Sequence, residues 1–149
     1  MNQTELPAPK GHEHETSGRT LAFIAVGGAA GTLLRYTLSE LTTFGPRSFP
    51  TTTFAINITG AFALGLLLGA LARHPLRDSV WRPLVGVGLL GGYTTFSTFA
   101  VETVQLARAD RLLVGAVYVI ASVGVGLLAA RFGERLVGAT PALIPEDEA

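Results

Sequence analysis

Pro83–Val101 reads PLVGVGLLGGYTTFSTFAV, and its reading decides the fold. It has no charged side chain, so it is long enough to cross a bilayer whose apolar layer is about 30 Å thick. Its middle, Gly91–Phe99, holds two glycines, four Ser or Thr hydroxyls, and two phenylalanines three residues apart. That is a poor way to build a plain anchor. Hydroxyls and a glycine pair let a helix break, and a broken helix persists in a bilayer only where protein buries it or where it lines a wet path. The segment therefore reads as a conduction or ion-binding element.

Working outward, this segment extends to about Ala107 and has three apolar companions, Thr20–Phe44, Phe49–Ala72 and Leu112–Ala130. Each meets the length of a membrane-spanning helix. The breaks between them are short. Gly45-Pro46-Arg47 is a turn by its Gly-Pro pair, Arg73–Arg82 carries four charges with His74 and Pro75, and Arg108–Arg111 is a tight charged turn. Small residues recur at four-residue spacing at Gly27 and Gly31, Gly65 and Gly69, and Gly88 and Gly92. In lipid, helices associate through close backbone approach, which glycine permits. Four thin helices enclose little space, so an oligomer is expected.

The chain of 149 residues is 48% hydrophobic and 15% charged, with 18 glycines and a formal net charge of zero. Nothing points to nucleic acid, and the length fits one domain. Cysteine is absent, which excludes disulfides and thiolate metal sites. The division expected is a polar tail over 1–18, a four-helix membrane domain over 19–137 and an acidic tail over 138–149. The first tail lacks the basic start and apolar run of a secretory signal and reads as solvated and cytoplasmic. His12 and His14 lie in it and read as solvated, not as metal ligands.

Orientation follows the basic residues. Lys10, Arg19, Arg73, Arg77, Arg82, Arg131 and Arg135 fall on one side, and Arg47, Arg108 and Arg111 on the other. The excess places both termini in the cytoplasm.

Polar groups inside the spans are functional candidates by default. Asn57 sits in the uncharged run FAINITGAFALGLLLG, and its amide offers two donors. Either it glues helices together or it lines a path; Thr53, four residues earlier on the same face, favours the path. Arg35, deep in the first segment, either snorkels to headgroups or lends positive potential to a vestibule. Glu40 reads as interfacial, and Glu102, near the end of its span, as an ion-pair or capping residue. Phe96 and Phe99 share a helical face. Such pairs usually pack, but a ring edge carries partial positive charge and contacts a small anion without trapping it. Tyr118 and Ser122, four apart, form another polar face.

Three pieces in order on these spans resemble the Fluc (CrcB) family of small fluoride channels: GGAAGTLLRY at Gly27–Tyr36, TTTFAINITGAFALG at Thr51–Gly65, and GGYTTFSTFAVE at Gly91–Glu102. The resemblance covers about Thr20–Arg135. It implies an all-α membrane protein with four transmembrane helices per subunit and a third helix broken near its middle. Two subunits would lie antiparallel in the cell inner membrane as a dual-topology dimer, with two fluoride pathways along their interface. It also implies that the backbone carbonyls of Gly91 and Thr94, from both subunits, hold one structural sodium ion. Phe96 and Phe99 match the phenylalanines facing the pathways, Asn57 the pore-lining asparagine and Arg35 the vestibule arginine. Thr53, Ser97 and Thr98 match polar pore positions, and Tyr118 and Ser122 a polar track on the fourth helix. Gly126 departs from that track, where some relatives carry serine.

The expectation is a passive fluoride channel that protects the cell by letting trapped fluoride leave. No nucleophile–base pair or metal-ligand cluster is present in the sequence, so no enzyme is implied. The rivals are a four-span drug–proton exchanger, which needs a titratable carboxylate in mid-membrane, and a non-transporting scaffold. The skewed loop charge leaves two pairings open, a homodimer or a heterodimer with an oppositely inserted homologue.

Overall fold

A computed structural model describes residues 18–40, 48–73 and 80–138. Among these, four helical spans are long and apolar enough to cross a membrane. Helix α1 covers Gly18–Glu40 and α2 covers Thr51–Arg73. The third span, Arg82–Arg108, is assembled from a π-wound stretch, Arg82–Leu90, a short α3, Gly91–Tyr93, and α4, Phe96–Arg108. Helix α5 covers Leu112–Gly138. The secondary structure of the described residues is all helical, and the chain is a multi-pass membrane protein. The expectations for His12 and His14, for the turn at Gly45-Pro46-Arg47, for His74 and Pro75, and for the tails before Gly18 and after Gly138 lie outside the described residues.

In the fourth span the helix outlasts the apolar run. Its apolar run ends at Ala130, but the helix continues to Gly138. A helix of 27 residues rises about 40 Å, more than the apolar layer, so its last turns stand in water where Arg131, Glu134 and Arg135 are exposed. Several contacts with α2 hold the extension. Gly133 lies flat on the Phe62 carbonyl, and Arg73 donates to the Gly138 carbonyl at the helix end.

The helices associate as two close pairs. Helix α2 packs along α5, α1 packs along the π stretch and α3, and α4 leans on α5. The glycine pairs make both contacts possible. A Cβ at Gly27 would strike the Leu84 carbonyl, and one at Gly31 the Leu89 carbonyl. From the other side, a Cβ on Gly88 would stand 2.7 Å from the Ile24 carbonyl oxygen. In the second pair, Gly65 lies against the Ala130 carbonyl and Gly69 against Glu134. Backbones this close gain dispersion contacts that lipid cannot match, which is how apolar helices adhere in a bilayer.

The turn from α4 to α5 takes three residues. Asp110 adopts φ 59°, a left-handed conformation that Asp tolerates better than most residues. Its N–H and that of Arg111 close onto the Ala107 and Leu106 carbonyls at 3.2 and 2.9 Å. Among the described residues the largest fully buried side chains are Tyr118, Leu106 and Pro50, with Ile56 and Leu90 nearly so. Large apolar residues such as Leu113, Ile120 and Leu128 point outward, as suits surfaces covered by lipid or by another chain.

Candidate functional site

Between α3 and α4 two residues leave the helical path. Thr94 has φ −77°, ψ 159° and Thr95 has φ −145°, ψ 125°. Inside a membrane every backbone polar group freed this way needs a partner. Three side chains supply them. Asn57 on α2 faces Thr95 edge-on: its Nδ2 donates to the Thr95 carbonyl at 3.0 Å, and the Thr95 N–H donates to its Oδ1 at 2.9 Å. Thr95 caps α4, its Oγ1 accepting the Thr98 N–H at 3.2 Å. Arg35 reaches across from α1 and donates Nε to the Gly92 carbonyl at 3.1 Å.

These bonds redirect specific helical donors. In an α-helix the Gly91 carbonyl takes its bond from the N–H of residue 95, and the Thr94 carbonyl from that of residue 98. Here the first N–H goes to Asn57 and the second to the Thr95 hydroxyl. The Gly91 and Thr94 carbonyls therefore each have their helical donor used elsewhere.

An open groove of about 440 Å³ runs beside the break, lined by Asn57, Gly91, Thr94, Thr95, Phe96, Phe99 and Ser122 among others. The Phe96 ring is 80% exposed and lies 5.9 Å from that of Phe99, inclined at 41°. The Ser122 hydroxyl is buried and has no hydrogen-bond partner among the described residues. Thr95 Oγ1 also donates to Thr98 Oγ1 at 3.0 Å and lies 3.3 Å from Ser97 Oγ. Among the described residues, the groove wall carries hydroxyls, an amide and aromatic rings but no charged side chain.

Thr53 and Tyr118 are not among the residues lining this groove. Both are buried, and both hydroxyls donate to Glu102, Thr53 to Oε1 at 2.8 Å and Tyr118 to Oε2 at 2.7 Å. This corrects the ion-pair or capping reading of Glu102. It sits in the body of α4, and each carboxylate oxygen accepts a hydroxyl. Tyr118 continues the aromatic row, its ring 5.1 Å from Phe99 and 5.3 Å from Phe49. The exchanger reading requires a carboxylate open to a path, and this one is enclosed.

The structure thus brings Asn57, Phe96, Phe99 and Ser122 to one groove, with Ser97 and Thr98 at the adjoining start of α4. It sets Arg35 on the backbone of the break and gathers Thr53 and Tyr118 around Glu102. The sequence reading missed that carboxylate as a hub. The signal available was a charged residue inside a span, which seldom lacks a partner.

A family model described as "CrcB-like protein, Camphor Resistance (CrcB)" matches residues 22–134. A fluoride-specific ion channel FluC of Alteromonas mediterranea is 50% identical over 109 residues, covering 72% of this chain and 85% of that protein. FluC 2 of Rhodococcus jostii is 47% identical over 117 residues, 78% of this chain and 97% of its own. FluC of Oceanobacillus iheyensis is 41% identical over 118 residues, 79% and 91%. The match takes in all four spans, the break and the groove, and the chain belongs to the CrcB-like family.

Proposed function

We propose that the chain is a fluoride-selective channel through which cytoplasmic fluoride leaves the cell down its gradient. The observation that carries this reading is the groove beside Thr94–Thr95. It offers only partial positive charge: an orphaned Ser122 hydroxyl, the Asn57 amide and the Phe96 and Phe99 rings. Asn57 Nδ2 has two hydrogens and spends one on Thr95, so one donor is left for an anion. Fluoride is small and strongly hydrated, and a path must replace its water without holding it. Weak donors in series meet both demands, since conduction needs binding firm enough to enter and loose enough to leave. The relatives named fluoride-specific ion channels support the choice of anion.

The working unit in this proposal is an antiparallel dimer with two pathways, and the interruption at Thr94–Thr95 is the functional break of the third span. Gly91 is exposed with no atom within 4 Å of a would-be Cβ, and Phe96 stands out beside it, which suits a second chain closing over both. The Gly91 and Thr94 carbonyls fit a hard monovalent cation, which prefers oxygen ligands and needs no negative side chain. A sodium ion bound there supplies charge that complements carbonyls from both subunits. Arg35 donates to the carbonyl of Gly92, which lies between Gly91 and Thr94 in sequence, and its guanidinium charge remains beside the break. The benefit to the cell follows from acid–base chemistry. Neutral hydrogen fluoride crosses membranes, ionises in a near-neutral cytoplasm and is trapped until a passive pore releases the anion. Fluoride release from proteoliposomes tests the reading, with chloride release as the discriminating control.

A further inference from the structure

We infer that Asn57 is a positioning residue for the cation, separate from any contact its amide makes with a passing anion. The inference rests on the reading of Gly91 and Thr94 as cation ligands. Its basis is the paired bond between Asn57 and Thr95, 38 residues apart in sequence. The Thr95 N–H that would close the helix onto Gly91 points instead to Asn57 Oδ1. Without that acceptor, the N–H is free to return to its helical partner, the Gly91 carbonyl, which heals the turn and draws that carbonyl away from a cation. The Thr94 carbonyl lacks this dependence, because Thr95 itself takes the Thr98 N–H that would otherwise reach it. Asn57 therefore governs half of each subunit's contribution, through its oxygen, while its remaining Nδ2–H faces the groove. One amide couples the anion path to the cation site.

The two ends of the amide separate by substitution. Asn57→Ala removes both. Asn57→Asp keeps an acceptor for Thr95 N–H and removes the donors. The readout is the thermal unfolding midpoint of the purified full chain in detergent, titrated with sodium against N-methylglucamine at constant ionic strength. For the unsubstituted chain the midpoint should rise with sodium and saturate. Asn57→Ala should need at least about tenfold more sodium for half the rise, or lose the rise, and Asn57→Asp should stay within about threefold. Ser122→Ala, which changes the groove and not the break, should keep the original sodium dependence. If Asn57→Ala yields no folded protein, the Asn57→Asp titration decides alone. A loss of sodium dependence in Asn57→Asp, an unchanged sodium requirement in Asn57→Ala, or no sodium dependence in the unsubstituted chain overturns the inference. None of these readings involves fluoride, so failure of the channel assignment shows separately, in efflux.

Discussion

Tyr118 donates its hydroxyl to Glu102 Oε2 across 2.7 Å, joining α5 to α4 inside the span. Thr53 from α2 donates to the other oxygen, so one carboxylate fastens three helices. A buried acceptor with both oxygens used is stabilising only while its partners remain, because an orphaned buried hydroxyl costs about 1–3 kcal/mol. Glu102→Leu leaves two such orphans and should lower stability by about 2–6 kcal/mol. Glu102→Gln keeps an acceptor for one and should cost about 1 kcal/mol. Unfolding of the purified protein in graded denaturing detergent measures both. Equal stability of Glu102→Leu and the unsubstituted chain would show that the cluster contributes nothing.

Phe96 and Phe99 are placed to offer ring edges to the groove. Phe96→Ile and Phe99→Ile keep apolar bulk and remove the quadrupole, so both should elute as the unsubstituted protein does on size exclusion while fluoride efflux falls at least about tenfold, the cost of about 1.4 kcal/mol in the barrier. Undiminished efflux from well-folded variants contradicts the role given to the rings.

The glycines of the α1 contact tolerate no side chain. A Cβ at Gly31 meets the Leu89 carbonyl and, at 2.8 Å, the Tyr93 nitrogen, so Gly31→Ala must push α1 away from the third span. Such overpacking costs roughly 1–3 kcal/mol. Gly124, with nothing within 4 Å of a would-be Cβ, is the control, and Gly124→Ala should stay within about 0.5 kcal/mol. Yield and unfolding midpoint compare them; equal tolerance at both positions contradicts the packing described.

These contrasts show how much was legible beforehand. The spans follow from uncharged runs, and the contacts at Gly27, Gly31, Gly65 and Gly69 follow from four-residue spacing, because both properties are local. Gly91–Phe99 likewise announced an irregular element. Pairings between distant residues were not legible. Nothing near Asn57 indicates that its amide meets Thr95 rather than another helix, and nothing near Glu102 indicates a threonine 49 positions away. The π winding of Arg82–Leu90 has no local signature, since the same apolar and glycine residues suit an α-helix. Helix α5 outlasts its apolar run because hydropathy reports where lipid stops, whereas contacts with α2 such as those of Gly133 and Arg73 continue beyond it.

Topology gives a further test. Seven basic residues flank one side of the spans and three the other, and short loops rich in Lys and Arg stay in the cytoplasm. If the chain pairs with itself in antiparallel fashion, reporters fused at Ala149 should report from both sides of the membrane. A purely cytoplasmic signal, with activity only when an oppositely inserted homologue is coexpressed, replaces the homodimer with a heterodimer.

Fluoride efflux from liposomes containing only this chain tests the central claim most directly. Vesicles loaded with potassium fluoride are diluted into fluoride-free medium, and valinomycin is added so that potassium balances the charge. The account predicts rapid fluoride release that needs valinomycin, because a passive anion pore is electrogenic, and no comparable release from vesicles loaded with chloride. Absence of fluoride release from folded protein, or equal release of chloride, would contradict it.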